Sequence, residues 1–332
     1  MTDLAMAAGP ASAMTTAPGA PTATICVVVK DRREQMTQCL DALAAQTIFD
    51  PTVLGVGVNL LVIDNGSTDG TVEMVRERAD TFPVPLQVLE IPGPLGRARH
   101  AAVQAATGDV LISTDSDCLP EPGWLAAILA AFTPGIDVVQ GRTMPTHQPD
   151  GRWPKTMRVE AWSDLYETCN IAYRTAAIRQ AGGFDEDAAI YGEDTAAGWR
   201  VRRLGGRRAY AHDAVVRHDV TYPGLRWHLQ YARGHAVWPR LVREFPEMRK
   251  ELLHRRVFLR RRSALFDLAA VGGLLLARRK VWGLLLLLPY ARTLQPAVRA
   301  DGMRGLIDSV AYDAATARGL IAGSVRARRV VL

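Results

Sequence analysis

Three short runs of uninterrupted, largely β-branched apolar residues constrain this chain more than any other feature. Thr24-Ile-Cys-Val-Val-Val29, Leu60-Leu-Val-Ile63 and Val110-Leu-Ile-Ser113 lack the alternation of a strand with one wet face. Each is therefore expected to be a strand buried on both faces. Each run gives way at once to charge or to turn residues: Lys30-Asp-Arg-Arg33, Asp64-Asn-Gly-Ser-Thr-Asp-Gly70 and Asp115-Ser-Asp117. Helical spacing follows over Met36–Gln46 and Val72–Ala79, and again over Arg97–Thr107, where Gly108 is the expected stop. Leu86–Ile91 reads as a further strand. Strands alternating with helices imply a mostly parallel sheet covered on both sides, with ligands bound beyond the carboxyl ends of its strands. Asp64, Asp115 and Asp117 then belong on one edge.

From Pro120 the pattern is mixed. Helices are expected at Trp124–Phe132, Arg174–Ala181 and Thr195–Leu204, and strands at Val138–Gln140, Asn170–Tyr173 and Ala209–His218. The fold class is α/β, a Rossmann-like mixed sheet followed by a C-terminal helical extension. Residues 1–22 carry no basic n-region and are rich in Ala, Thr, Pro and Gly, so they read as a disordered leader rather than a secretory signal. Residues 23–224 form the α/β domain and 225–332 a basic helical region.

Charge divides along the same line. From Leu225 onward there are 21 Lys/Arg and 7 Asp/Glu, whereas the preceding residues hold 19 and 27. An acidic domain with a basic tail suits a partner such as anionic lipid or a phosphorylated acceptor, although two solvated surfaces of opposite sign fit as well. No zinc-finger spacing, RNP-like motif or basic zipper supports a nucleic-acid partner. Two apolar runs, Ala264–Ala277 and Val281–Tyr290, flank Arg278-Arg-Lys280. Each is shorter than the roughly 18 to 20 residues that span a bilayer, and the three charges argue against one spanning helix. Buried packing and in-plane membrane contact stand level as readings. The four cysteines form no CxxC, so reduced, partly buried thiols of a cytoplasmic protein are expected, with attachment to the inner face of the plasma membrane as a further expectation.

Four groups could carry chemistry. Asp115-Ser116-Asp117, a DXD motif, can offer carboxylate oxygens to a hard divalent cation, Mg²⁺ or Mn²⁺, bridging a diphosphate. Asp64 can accept hydrogen bonds from a base or ribose, while Ser67, Thr68 and Asp69 equally read as a helix cap and first turn. Glu193-Asp194 suits a general base and equally the acidic start of a helix. His218 could be a neutral imidazole ligand or a structural residue. No glycine-rich loop follows the first strand, which disfavours a nucleotidyltransferase and a dinucleotide oxidoreductase.

These pieces, in this order, resemble the family 2 inverting glycosyltransferases of GT-A fold. The resemblance runs from about Thr24 to Thr221 and adds Leu95-Gly-Arg-Ala-Arg99, Gly182-Gly-Phe-Asp-Glu186 and Gly192-Glu-Asp194 to the motifs above. It implies transfer of a sugar from a UDP-, GDP- or TDP-sugar to a hydroxyl acceptor, lipid- or polysaccharide-linked as in cell-envelope polysaccharide synthesis. It implies nucleotide-sugar binding by Val29, Asp64, Arg99, Asp115 and Ser116, and metal binding by Asp117 and His218. Asp194, with Glu193, would serve as the base, and Asn170 would lie on the acceptor side. A non-catalytic binder of a nucleotide sugar or lipid phosphate is the alternative on the same fold. Lys30-Asp-Arg-Arg33 stands where the family has a proline and an asparagine-containing turn, and His100 where asparagine is common. Gln230-Tyr-Ala-Arg233 is followed by Gly234 rather than tryptophan, so processive polymerisation is not expected.

Overall fold

A computed structural model describes residues 21–49, 57–188 and 192–332. Almost all of the expected leader lies outside the described residues. The chain divides into two compact units. The first comprises Met1–Gln148, Thr156–Ala189 and Glu193–Val220; the second comprises Pro149–Lys155, Ile190–Gly192 and Thr221–Leu332.

In chain order the first unit contains β1 (Ala23–Val29), α1 (Arg33–Ala44), β2 (Val58–Asp64), α2 (Thr71–Ala79), β3 (Leu86–Glu90), α3 (Leu95–Ala105), β4 (Val110–Asp115) and β5 (Cys118–Pro120). It continues with α4 (Trp124–Ala130), β6 (Val138–Pro145), β7 (Asn170–Arg174), α5 (Thr175–Gln180), α6 (Glu193–Arg203) and β8 (Arg208–His218). The strands form one sheet in the order β3-β2-β1-β4-β7-β6-β8-β5. β3, β2, β1 and β4 run parallel, and β7 is antiparallel to both β4 and β6. The three apolar runs are the three central parallel strands. Their side chains are buried on both faces: Ile25, Val27, Leu60, Val62, Val110 and Ile112 on one, and Cys26, Leu61, Ile63 and Leu111 on the other. Helical residues such as Met36, Leu40 and Leu43 of α1 close the core on one side. Gly108 does not cap α3, which ends at Ala105; a Cβ there would stand 2.5 Å from the Ala23 carbonyl carbon, so the residue lets the chain pass against β1.

Other boundaries also move. α1 begins at Arg33 rather than Met36. α2 is capped neither by Ser67 nor by Thr68: Asp69 Oδ1 accepts from the Thr71 N–H at 3.1 Å, and the helix starts at Thr71. Cys118–Pro120, which looks like the end of a motif in sequence, is an edge strand paired antiparallel to β8. β6 runs on to Pro145 because β8 pairs with it in parallel across a bulge at Gly141/Arg142.

The second unit is helical: α7 (Gly224–Gly234), α8 (Trp238–Glu244), α9 (Met248–Glu251), α10 (Arg261–Ala277) and α11 (Gly283–Ala327), the last broken at Gly302. The two apolar runs fall in α10 and at the start of α11. Two buried aspartates of α11 are neutralised within the unit. Asp313 accepts from Arg262 Nε at 2.9 Å and from the Tyr290 hydroxyl at 2.6 Å; Asp308 pairs with Arg152. No helix among the described residues is long and apolar enough to cross a membrane.

Candidate active site

Sheet register brings the acidic residues to one rim. Val29 pairs with Asp64 and Val28 with Asp115, so the last residues of β2 and β4 flank the end of β1. The chain then turns through Ser116 and Asp117 into β5. Cys118 sits opposite His218, and the Asp219 N–H donates to the Asp117 carbonyl at 2.8 Å. Backbone pairing therefore joins Asp117 to a histidine about a hundred residues away in sequence.

The Asp117 carboxylate faces two groups. Oδ2 is 3.1 Å from Arg32 Nη1, and Oδ1 is 3.7 Å from His218 Nε2. His218 Nδ1 lies 2.9 Å from the Asp219 carbonyl. A carbonyl can only accept, so Nδ1 carries a proton, and in the neutral ring the lone pair is left on Nε2, the nitrogen nearer Asp117. Two acceptors at 3.7 Å do not bond each other. Their separation suits two ligands of one cation, which lie roughly 3 to 4 Å apart around an ion. Cys118 Sγ lies within 4.8 Å of both ligand atoms. Burial drives its thiol well above the ordinary value, and a thiol is a poor ligand for a hard cation. A carboxylate oxygen together with an imidazole nitrogen can hold a divalent cation.

Asp115 takes a different partner. Arg99, from α3, reaches Asp115 Oδ1 at 3.6 Å and is paired with Glu193 Oε1. Burial alone would lower the Arg99 pKa; Glu193, Asp115 and Asp194 reverse this and hold it above its ordinary value. Glu193 and Asp194 form the first turn of α6 instead of preceding it. Glu193 is buried, and its Oε2 has no hydrogen-bond partner among the described residues. Asp194 is half-buried, and its Oδ1 accepts from the Thr195 N–H at 2.7 Å. Desolvation, then the negative charge of Glu193, push the Asp194 pKa up to about 8, with Arg99 pulling the other way.

Asp64 is buried and shapes its own loop, accepting from the Gly66 N–H at 2.9 Å and the Ser67 N–H at 3.0 Å. Val29 and Ser116 are buried at the same rim. Asn170 opens β7. Its side chain is buried, accepting from Trp124 Nε1 at 2.8 Å and donating to the Arg142 and Ala214 carbonyls at 2.9 Å. Its amide pins β6, β8 and α4 together.

Two residues escaped the sequence reading. Arg32 supplies a cation to Asp117; its signal was a basic turn just past a buried strand. Asn65, next to Asp64, keeps Oδ1 buried without a hydrogen-bond partner, a condition that marks a group awaiting a ligand or a water. The loops holding both are laced together: Asp31 Oδ1 accepts from the Thr68 N–H at 2.7 Å, and the Arg33 N–H donates to Asp69 at 3.0 Å.

Comparison with known proteins agrees with this arrangement. Residues 24–185 match the family model "Glycosyl transferase family 2". Glycosyltransferase AglE of Haloferax volcanii is 25% identical over 214 residues, covering 60% of this chain and 67% of that protein. The pre-mycofactocin glycosyltransferase of Mycobacterium tuberculosis is 28% identical over 183 residues, covering 49% of this chain and 38% of that one. The chain thus spans little more than a third of the second relative's length. Among solved structures, the mannosyltransferase PcManGT from Pyrobaculum calidifontis, in complex with GDP-Man and Mn²⁺, superposes with a TM-score of 0.56 at 18% identity, covering 96% of this chain and 90% of that one. GalNAc-T7 with UDP, GalNAc and Mn²⁺ gives 0.51 at 16% identity, covering 62% and 44%. With the rim geometry, the sheet order and the matched family model in hand, residues 24–185 belong to a family 2 glycosyltransferase domain of GT-A fold.

Proposed function

We propose that the protein transfers one sugar from a nucleoside-diphosphate sugar to a hydroxyl acceptor with inversion at the anomeric carbon. The observation that carries this reading is the Asp117–His218 pair, whose Oδ1 and Nε2 stand 3.7 Å apart at the sheet rim. GDP-Man and UDP in the two related structures support a nucleoside-diphosphate donor. Asp117 and His218 would hold a divalent cation, Mg²⁺ or Mn²⁺, which supplies neutralisation of the diphosphate leaving group. Arg32 adds a fixed positive charge beside Asp117. Asp64 keeps the loop shaped around the base, and Asn65 Oδ1 offers an acceptor for a base N–H. Asp115 faces the ribose, with Arg99 braced behind it.

Asp194 removes the acceptor's hydroxyl proton as the acceptor oxygen bonds to the anomeric carbon. The bond from that carbon to the phosphate oxygen breaks on the opposite face, and the nucleoside diphosphate leaves. The raised pKa makes Asp194 a stronger base than an ordinary carboxylate. Glu193 acts through Arg99 and is a positioning residue. The acceptor is lipid- or polysaccharide-linked, as in cell-envelope polysaccharide synthesis, and the protein works on the cytoplasmic side, beside a membrane surface.

Titration of the protein with a panel of nucleotide sugars, with and without Mn²⁺, tests the reading, followed by assay of donor turnover. Metal-dependent binding and release of nucleoside diphosphate are expected. Failure of every donor to bind in the presence of metal overturns it. Binding without turnover under any acceptor would favour a non-catalytic binder.

A further inference from the structure

The hairpin of α10 and α11 is apolar on the wrong side. Its inner face is closed: a Cβ on Gly272 would stand 2.8 Å from the Gly283 carbonyl, and one on Gly283 would stand 2.5 Å from the Gly272 carbonyl. Ala269, Tyr290 and Leu294 form the small core between the helices. The outward faces carry Val271 and Leu274 on α10, then Val281, Trp282, Leu285 and Leu288 along the turn and α11. Each of these six is at least half exposed; Val281 reaches 75% and Leu285 71%. Leu285 and Leu288 stand three apart on α11 and share a face, with Val281 exposed in the turn just before it.

Charge is equally one-sided. Between Asp267 and Asp301 there is no acidic residue, and there are five cations: Arg278, Arg279, Lys280, Arg292 and Arg299. The first three occupy the turn. Arg292 and Arg299 continue the stripe of Leu285 and Leu288 in helical register. Cations therefore bracket the apolar stripe at both ends, with Arg278, Arg279 and Lys280 in the turn and Arg292 about 14 Å along α11 from Gly283 at the helical rise. Two copies meeting stripe to stripe would bring these cations face to face with no acid to offset them. An anionic headgroup layer meets both demands, since acyl chains take the apolar stripe and phosphates the bracketing cations. α10 has 17 residues, about 25 Å at the helical rise and short of the roughly 30 Å hydrocarbon core. The charged turn would also have to cross that core. In-plane contact avoids both costs.

We propose that the α10–α11 hairpin is the element through which the protein docks, in the plane of the interface, on an anionic lipid bilayer. This deepens the proposed function by naming the surface beside which transfer takes place. Vesicle capture and sugar transfer are measured separately, so either can fail while the other stands.

The test is co-flotation of the full chain with vesicles of phosphatidylcholine alone and of phosphatidylcholine with 30% phosphatidylglycerol. Capture is expected on the anionic vesicles, at least tenfold above the neutral ones, weakening as salt rises. Leu285→Glu with Leu288→Glu should lose capture by at least tenfold while thermal melting and donor binding stay unchanged, because both side chains are exposed. Replacing Arg278, Arg279 and Lys280 with Gln should remove the preference for anionic lipid. Brominated acyl chains should quench wild-type fluorescence more than that of Trp282→Phe. Equal capture by the double Glu variant, or no capture on either vesicle, overturns the proposal. A wild-type dimer that the double Glu variant dissociates, without vesicle capture, would assign the stripe to a second copy instead.

Discussion

His218 Nε2 stands 3.7 Å from Asp117 Oδ1, while Nδ1 of the same ring is engaged by the Asp219 carbonyl at 2.9 Å. The second contact fixes the tautomer that makes the first a ligand pair. His218→Ala and Asp117→Asn should each weaken Mn²⁺-dependent nucleotide binding by at least about tenfold. Cys118→Ala should leave it nearly unchanged, because the buried thiol is a poor ligand for a hard cation. Calorimetric titration of nucleoside diphosphate at fixed Mn²⁺ checks all three.

Asp194→Asn should lower transfer by about 10²- to 10⁴-fold, the usual worth of a positioned base, with donor binding retained. Wild-type activity should rise with pH through the neutral range, because the working base must be ionised and its pKa is held near about 8. A pH–rate profile flat from pH 6 to 9 would remove Asp194 from this role.

The same shift has a stability consequence. The folded-state pKa of Asp194 lies above its unfolded value, so the native state binds the proton more tightly. Stability is therefore lost as pH rises from 3.8 toward about 8. Asp194→Asn should melt higher than wild type at pH 8, by about 1–2 kcal/mol for a half-buried carboxyl. The gain should shrink toward acid pH. Thermal melts at pH 5 and pH 8 give the comparison.

Arg99 neutralises Glu193 and approaches Asp115 from a nearly buried position. Arg99→Ala leaves a buried carboxylate unpaired and should cost about 3–5 kcal/mol. Arg99→Ala with Glu193→Ala should recover much of that loss. Urea unfolding of the two variants and the wild type measures the coupling.

Asn170→Ala should destabilise by about 1–3 kcal/mol, since it orphans the Trp124 N–H and two carbonyls. The acceptor KM of the folded variant should stay unchanged. A variant with normal stability and an altered acceptor KM would place Asn170 on the acceptor side.

The central strands were legible because a strand buried on both faces writes its burial directly into an unbroken apolar run. Asp64, Asp115 and Asp117 followed, as residues placed where those runs stop. β5 was not legible: three residues, Cys-Leu-Pro, carry no periodicity, and only β8 makes them a strand. The burial of Asn170 was hidden for a related reason: Trp124, Arg142 and Ala214, which engage its amide, come from three separate segments. Arg32 was hidden similarly, since nothing near it in sequence announces Asp117, 85 residues on. Short-range pattern reveals where a rim is, whereas long-range pairing decides which side chains meet there.

The pairing of Cys118 with His218 has one more effect. The gap between the two expected cation ligands is set by a ladder of main-chain bonds inside the sheet, a part of the molecule that side-chain replacement barely disturbs. Side-chain substitutions around the rim should therefore change the lining of the proposed site while the spacing of Asp117 and His218 holds, because β5 and β8 fix it through their backbones.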